Sequence, residues 1–404
     1  MKNLKRTVSI ILTLITIGTM FTGCGKQTGS DDPESTIKIG SVHPLTGNYA
    51  YEAQSIINAQ KLAIEEINNA GGIKSLDGRK LEFVVGDSQG NADTGASEAQ
   101  RLIDQNVVAL TGTFQSSVTQ TCMQEAEKNE VPFVVTVSNN VAMFENGFKY
   151  CFRIQPNANV FSNDFIDYIK AVKTDDIKTA VLINEDSITG TESGDVIAAN
   201  LKAAGINLVD RVTYSASTAT LSSEVTKIVN AAPDMLITIG YFNDTSLLVK
   251  ELNERNVSFK LVVGVANGGI SDSKFIEDFG STVENFCDVN YRYNPNSEKA
   301  KELLAKYKDK YGEEMSVHAI YGYESIMVIA DALERAGSTD SEKLRAALSS
   351  TNYTNTILPQ SVGIQFDEKG ENINAAGVMV QIQNGEHKVV FPESFAESEI
   401  ILDK

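Results

Sequence analysis

Ser116 and Ser117 follow Gly112-Thr113-Phe114-Gln115 at the start of a predicted helix. Hydroxyls and free backbone N–H groups at that end of a helix, where the dipole is positive, suit a carboxylate. Serine is also favoured there as an N-cap, so a purely structural role stands beside the binding one. Asp244 follows Gly240-Tyr241-Phe242-Asn243 where another predicted helix begins. It could cap that helix or pair an ammonium group, which would offset the cost of burying a lone carboxylate. Tyr241 beside it could wall a pocket. Ser138-Asn139-Asn140 ends a predicted strand. Asparagine offers both a donor and an acceptor, and it is equally a common turn former.

Catalysis needs more than this. The three histidines, His43, His318 and His387, are scattered. Only His43 falls in a loop expected to face a cleft, and a hydrogen-bonded loop histidine is the simpler reading of it. No Gly-x-Gly-x-x-Gly, Walker loop or Gly-x-Ser-x-Gly is present, so neither a nucleotide site nor a nucleophile elbow is signalled. Beyond Cys24 the chain has Cys122, Cys151 and Cys287, with no Cys-x-x-Cys pair. An odd number leaves at least one thiol free or paired between molecules; buried, inert thiols are the expectation, with no metal and no cofactor. The chemistry on offer is binding.

These residues sit at the ends of strands in a regular alternation. Strands are predicted at Ile37–Val42, Leu81–Val85, Val107–Thr111, Val131–Val137, Thr179–Asn184, Leu208–Tyr214, Met235–Gly240 and Phe259–Val263. Helices are predicted between them, at Gln54–Ala70, Thr94–Gln105, Ser117–Asn129, Val160–Val172, Glu192–Ala204, Ser222–Ala232 and Asp244–Asn253. Repeated β-α-β units predict an α/β fold with parallel sheets flanked by helices on both faces. Such sheets bind ligands at the carboxyl ends of their strands. Two of them mouth to mouth would form a cleft.

Composition supports two domains. Lys2, Lys5 and Arg6 precede the apolar run Val8–Phe21 and then Thr22-Gly23-Cys24. That run is shorter than the ~20 residues a spanning helix needs and reads as a secretory signal peptide over 1–23. The Thr-Gly-Cys end is similar to the lipobox of bacterial lipoproteins, with Phe21 where leucine is usual. It makes Cys24 the expected lipidation site, and the polar stretch to Ser35 a flexible tether on the extracytoplasmic face of the cell membrane. Without residues 1–23, 381 of the 404 residues remain, more than one core usually serves. Removing the three leader cations from the formal charge of −18 leaves about −21, which argues against nucleic acid as a partner.

The order of short motifs resembles a known family. Ile39-Gly40, Pro44-Leu45-Thr46-Gly47, Ala63-Ile64-Glu65-Glu66-Ile67-Asn68 and Ala70-Gly71-Gly72-Ile73 look like the opening of a type I periplasmic binding protein. Asp87-Ser88-Gln89-Gly90-Asn91, Phe152-Arg153, Tyr321-Gly322-Tyr323-Glu324, Ala330–Gly337 and Phe366–Gly370 continue the series. The subfamily it is similar to binds leucine, isoleucine and valine, with relatives for amides and other acids. The resemblance implies two Rossmann-like lobes joined by three crossover segments. Lobe one would hold 36–155 and 267–358, lobe two 156–266 and 359–404, closing by a hinge on the ligand. It implies a substrate-binding lipoprotein of an ABC importer, with permease and ATPase subunits as partners. It also assigns roles: Ser117 to the ligand carboxylate, Asn140 to a position where the family has threonine, and Asp244 to the ammonium.

Two loops depart from the family pattern. Tyr51-Glu52-Ala53 stands where relatives show tyrosine-glycine, and Asp186-Ser187-Ile188-Thr189-Gly190 replaces a second tyrosine-glycine pair. Thr189 cannot stack on a ligand as tyrosine does, and Glu52, if it faces the cleft, adds a second negative group. The ligand expected is a small amino acid or amino-acid-like molecule, and these two changes leave room for one bulkier, more polar or more cationic than leucine. A sugar receptor or a ligand-sensing receptor of the same fold is the alternative, against which the absence of Trp counts for sugars.

Overall fold

The computed structural model describes residues 36–172, 176–359 and 362–402. The expected leader, Cys24 and the tether lie outside these. The first sheet gathers β1 (Ile37–His43), β2 (Leu81–Asp87), β3 (Ala109–Gly112), β4 (Phe133–Val135) and β5 (Cys151–Arg153) in the order β2-β1-β3-β4-β5. All its pairings are parallel. The crossover helices are α1 (Ala50–Asn69), α2 (Ala92–Asp104) and α3 (Ser116–Lys128). Successive strand residues face opposite ways. Val42 and Leu110 therefore pack under α2 and α3 with Leu102, Val118 and Cys122, while Ile37 and Ile39 pack with Ile56, Leu62 and Ala63 of α1.

The second lobe begins with α4 (Ala158–Val172). It continues as β6 (Thr179–Glu185), α5 (Ile188–Leu201), β7 (Asn207–Tyr214), α6 (Ser222–Ala231), β8 (Met235–Ile239), α7 (Phe242–Glu254), β9 (Leu261–Val265), α8 (Ser273–Phe279) and β10 (Cys287–Asn290). The chain then returns to the first lobe as α9 (Glu298–Tyr311), α10 (Val317–Ala336), α11 (Ser341–Ser349) and the small pair β11 (Asn352–Tyr353) and β12 (Ile364–Gln365). Helix α10 lies along α1. The two approach closely at Gly322, where an added Cβ would stand 2.7 Å from Ile56 Cγ2. The hairpin β13 (Val378–Gln383) and β14 (Glu386–Phe391) closes the second sheet in the order β14-β13-β10-β9-β8-β6-β7.

Two boundaries differ from the sequence expectation. The return to lobe one comes after Asn290, not at 267, because Cys287–Val289 pair in parallel with Val263–Val265 of the second sheet. The next departure comes after Asn372, not at 359: Arg153 N donates to Gly370 O at 2.8 Å and Asn372 N to Arg153 O at 3.0 Å, holding this stretch against β5. The second sheet is also not wholly parallel, since β13 runs antiparallel to β10 and to β14. The β13–β14 pairing follows from a two-residue turn at Asn384-Gly385, with φ of 54° and 75°, the dipeptide that favours tight hairpins. Cys122, Cys151 and Cys287 are free and buried.

Candidate functional site

The strand-end loops of the two lobes meet, and direct bonds cross the gap between them. The Ser116 and Thr189 hydroxyls share a hydrogen bond of 2.6 Å. Asn140 Nδ2 donates to Glu192 at 2.7 Å, and Asn243 Nδ2 donates to the Asn48 carbonyl at 2.9 Å. The Tyr51 hydroxyl reaches Asp272 at 3.3 Å. Three rings fill the middle: Tyr241 stands edge-on to Tyr49 at 4.9 Å and tilted to Phe114 at 5.6 Å.

Phe114 and Tyr241, with Ser116, Val137, Ser138, Asn139, Thr189, Tyr291 and His318, line a cavity of about 30 Å³, room for about one water. Two larger chambers lie on the other sides of the Tyr241 ring. One, of about 200 Å³, is bordered by Tyr49, Asn243 and Asp244. The other, of about 330 Å³, is bordered by Gln115, Ser117, Ser187 and Thr189. Tyr241 is the partition common to all three.

The expected trio of Ser117, Asn140 and Asp244 does not share one cavity. Helix α3 starts at Ser116 with Gln115 as an N-cap that makes no side-chain cap bond, so neither serine is the cap. Ser116 is buried and turned inward, with Ser138 Oγ donating to it at 2.7 Å; Ser117 is exposed at the rim. Asn140 is spent on structure. Its Oδ1 accepts from Met143 N at 3.1 Å while its amide holds Glu192. Asn139 takes its place in the cavity, 4% exposed, with Oδ1 meeting no hydrogen-bond partner.

Asp244 lies in the first turn of α7, whose cap residue is Tyr241, so capping does not account for it. It is 6% exposed and accepts the Tyr214 hydroxyl. The fit is close: a Cβ on Gly240 would stand 2.6 Å from Tyr214 Oη and 2.8 Å from Asp244 Oδ2. Burial pushes the Asp244 carboxyl up to about 6, against the Tyr214 bond that pulls it down. Glu52, 2% exposed, reaches across from α1 to accept the Phe242 backbone N–H, and burial lifts it to about 7. Burial likewise raises Glu185. After burial itself, Asp244, Glu185, Glu52 and Asp186 together push the Tyr49 phenol up to about 12. None of these four carboxylates has an ion-pair partner among the described residues. Tyr51, by contrast, is 41% exposed and outside the cavity.

Several participants had no local sequence signal. Fully buried Arg153 anchors the site loop, donating from Nη1 to the carbonyls of Ser138 at 3.2 Å and Asn140 at 2.6 Å. Its Nε bonds Glu371 at 2.8 Å, and its guanidinium lies 4.4 Å from the Phe144 ring centre. His318, in α10, and Tyr291, directly after β10, lie far downstream of β4 in the sequence. His43 is not a loop residue: it ends β1, fully buried, with both ring nitrogens unpartnered, and burial lowers it to about 3.

Two sheets whose strand-end loops meet around a polar-lined gap make the two-lobed architecture of a binding protein. The chain belongs to the periplasmic binding protein family, whose model matches residues 36–386. That is a family of extracytoplasmic binding proteins, not of enzymes. It is 29% identical over 391 residues to Leu/Ile/Val-binding protein homolog 7 of Brucella suis, covering 93% of this chain and 96% of that one. It is similar in fold to the branched-chain amino acid transporter substrate-binding protein LivJ of Streptococcus pneumoniae, solved with isoleucine. The TM-score there is 0.78 at 22% identity, with 91% of this chain and 100% of that one covered. A solute-binding protein of an ABC transporter from Rhodopseudomonas palustris, solved with 3,4-dihydroxybenzoic acid, matches at 0.76 and 21% identity, covering 87% and 95%. Among the described residues no helix is long and apolar enough to cross a membrane.

Proposed function

We propose that this protein is the substrate-binding component of an ABC importer, taking an α-amino acid or amide between its lobes. The observation that carries the reading is the group of buried, unpaired carboxylates, Asp244, Glu52 and Glu185, gathered around Tyr49 and Tyr241. A buried carboxylate without a cation is costly, and an ammonium group on the ligand supplies that cation. Ser116, at the start of α3, and Asn139 beyond β4, through its Nδ2 amide, are the groups assigned to the ligand's carboxylate end, replacing Ser117 and Asn140. For one molecule to reach both ends, Tyr241 must turn aside and join the chambers it separates. The names of the Brucella and Streptococcus relatives agree with an amino-acid ligand.

The Tyr49, Phe114 and Tyr241 rings favour a second reading, an aromatic acid such as the Rhodopseudomonas relative holds. Repulsion from the cleft carboxylates weighs against an anion lacking an ammonium group. We assign Cys24 to lipidation, which would tether the domain outside the cell membrane near its permease and ATPase partners.

A thermal-shift screen of amino acids, amides, aromatic acids and sugars tests the ligand class. At 100 times Kd a ligand adds about 2.7 kcal/mol to stability. Amino acids or amides should raise the melting temperature; a rise with sugars or aromatic acids alone would refute the reading.

A further inference from the structure

Phe114, Val137, Tyr291 and His318 form the apolar, ring-rich part of the cavity lining. The His318 ring is edge-on to Phe114 at 5.2 Å and 82°, and lies 5.6 Å from Tyr291 at 63°. Tyr291 is committed elsewhere, its hydroxyl donating to Val137 O at 2.5 Å. His318 is different. It is 5% exposed, lines the cavity, and makes no hydrogen bond among the described residues. Buried polar side chains are nearly always partnered, and leaving one unpaired is unfavourable. Asn139 lines the same cavity, and its buried Oδ1 has no hydrogen-bond partner.

We propose that His318 determines specificity by receiving a neutral, planar, hydrogen-bonding group at the far end of the ligand side chain, a carboxamide above all. A neutral imidazole carries one donor and one acceptor, and a primary carboxamide presents the complement of both. Burial keeps the ring neutral, lowering its pKa to about 4. A side-chain carboxylate is excluded by the acidic cleft, and a purely aliphatic side chain would leave the imidazole unsatisfied. The flat walls of Phe114 and Tyr291 suit a planar group. The inference rests on the cleft being an amino-acid site, and it separates this protein from its branched-chain relatives: the cavity should prefer glutamine or asparagine to leucine.

Calorimetric titration of wild type, His318→Phe and His318→Asn with glutamine, asparagine, leucine and isoleucine tests it, with circular dichroism to establish folding. Sites built to bond a polar group reject analogues lacking it strongly. Wild type should bind an amide amino acid at least tenfold tighter than leucine. His318→Phe should lose about tenfold or more for the amide and little for leucine, and His318→Asn should restore part of the preference. If wild type prefers leucine, or if His318→Phe leaves the amide-to-leucine ratio unchanged, His318 does not select and the inference is overturned while the amino-acid site stands. If none of the four binds wild type, the inference is overturned, and the amino-acid reading is decided separately by the thermal-shift screen.

Discussion

Asn140 and Glu192 bond across the cleft: Asn140 Nδ2 donates to Glu192 Oε2 at 2.7 Å, and the neighbouring Val141 N–H reaches the same oxygen at 2.9 Å. One half-buried carboxylate of the second lobe thus engages both a side chain and the backbone of the first. Nothing here touches the enclosed cavity, so the pair acts on lobe closure and not on ligand recognition. Hydrogen bonds to charged groups contribute about 1.5–3 kcal/mol, and apparent affinity falls with the fraction of closed-competent molecules. Glu192→Ala should therefore weaken all ligands by a common factor of about ten to a hundred. Calorimetry across a ligand panel checks this; a loss confined to one ligand class would move Glu192 into the recognition site.

Affinity should depend on pH through Asp244. Its carboxyl sits near 6 in the ligand-free protein, above the ordinary aspartate value of about 3.9. A ligand ammonium favours the ionised form, so binding expels a proton at low pH. Affinity should rise from pH 5 to pH 7 and then level, with Glu52, near 7, extending the rise. Ligand-free stability moves the opposite way. A carboxyl raised in the folded state contributes stability that is present below its unfolded pKa and lost as pH rises through about 6. Asp244→Asn should flatten the affinity profile, as measured by calorimetry in buffers of differing ionisation enthalpy.

Arg153 ties the Ser138–Asn140 loop to Glu371 at the third crossing between lobes. Removing one partner of a buried ion pair typically costs 3–5 kcal/mol, and Glu371 is only 16% exposed in its side chain. Arg153→Met should lower the melting temperature by several degrees and weaken ligand binding in the fraction that folds. Retention of full affinity would show that the loop holds its shape without the guanidinium.

Cys24→Ser should move the protein from the membrane fraction to the soluble fraction of cells, followed by immunoblotting. Retention in membranes would count against lipidation.

The alternating pattern made the first sheet and the parallel part of the second legible, because apolar runs and helix stops recur at each unit. The Asn384-Gly385 hairpin was equally written in the sequence, and its dipeptide would have placed β13 and β14. The site was harder. On a helix, consecutive residues point about 100° apart, so a one-residue error sends Ser117 to solvent while Ser116 faces the cavity. The same offset exchanges Asn139 for Asn140. His318, Tyr291 and Arg153 are placed by long-range topology, which no local pattern encodes. Asp244 was legible as chemistry. The ring of Tyr241 between it and Ser116 was not, since ring orientation depends on both lobes at once.

In the proposed binding mode one zwitterion spans the cleft, its carboxylate at Ser116 and Asn139 and its ammonium at Asp244. Calorimetric titration with the tightest-binding amino acid, beside its deaminated and decarboxylated analogues, measures this directly. The amino acid should bind at least a hundredfold tighter than either analogue. Equal affinity for the amino acid and either analogue would contradict it.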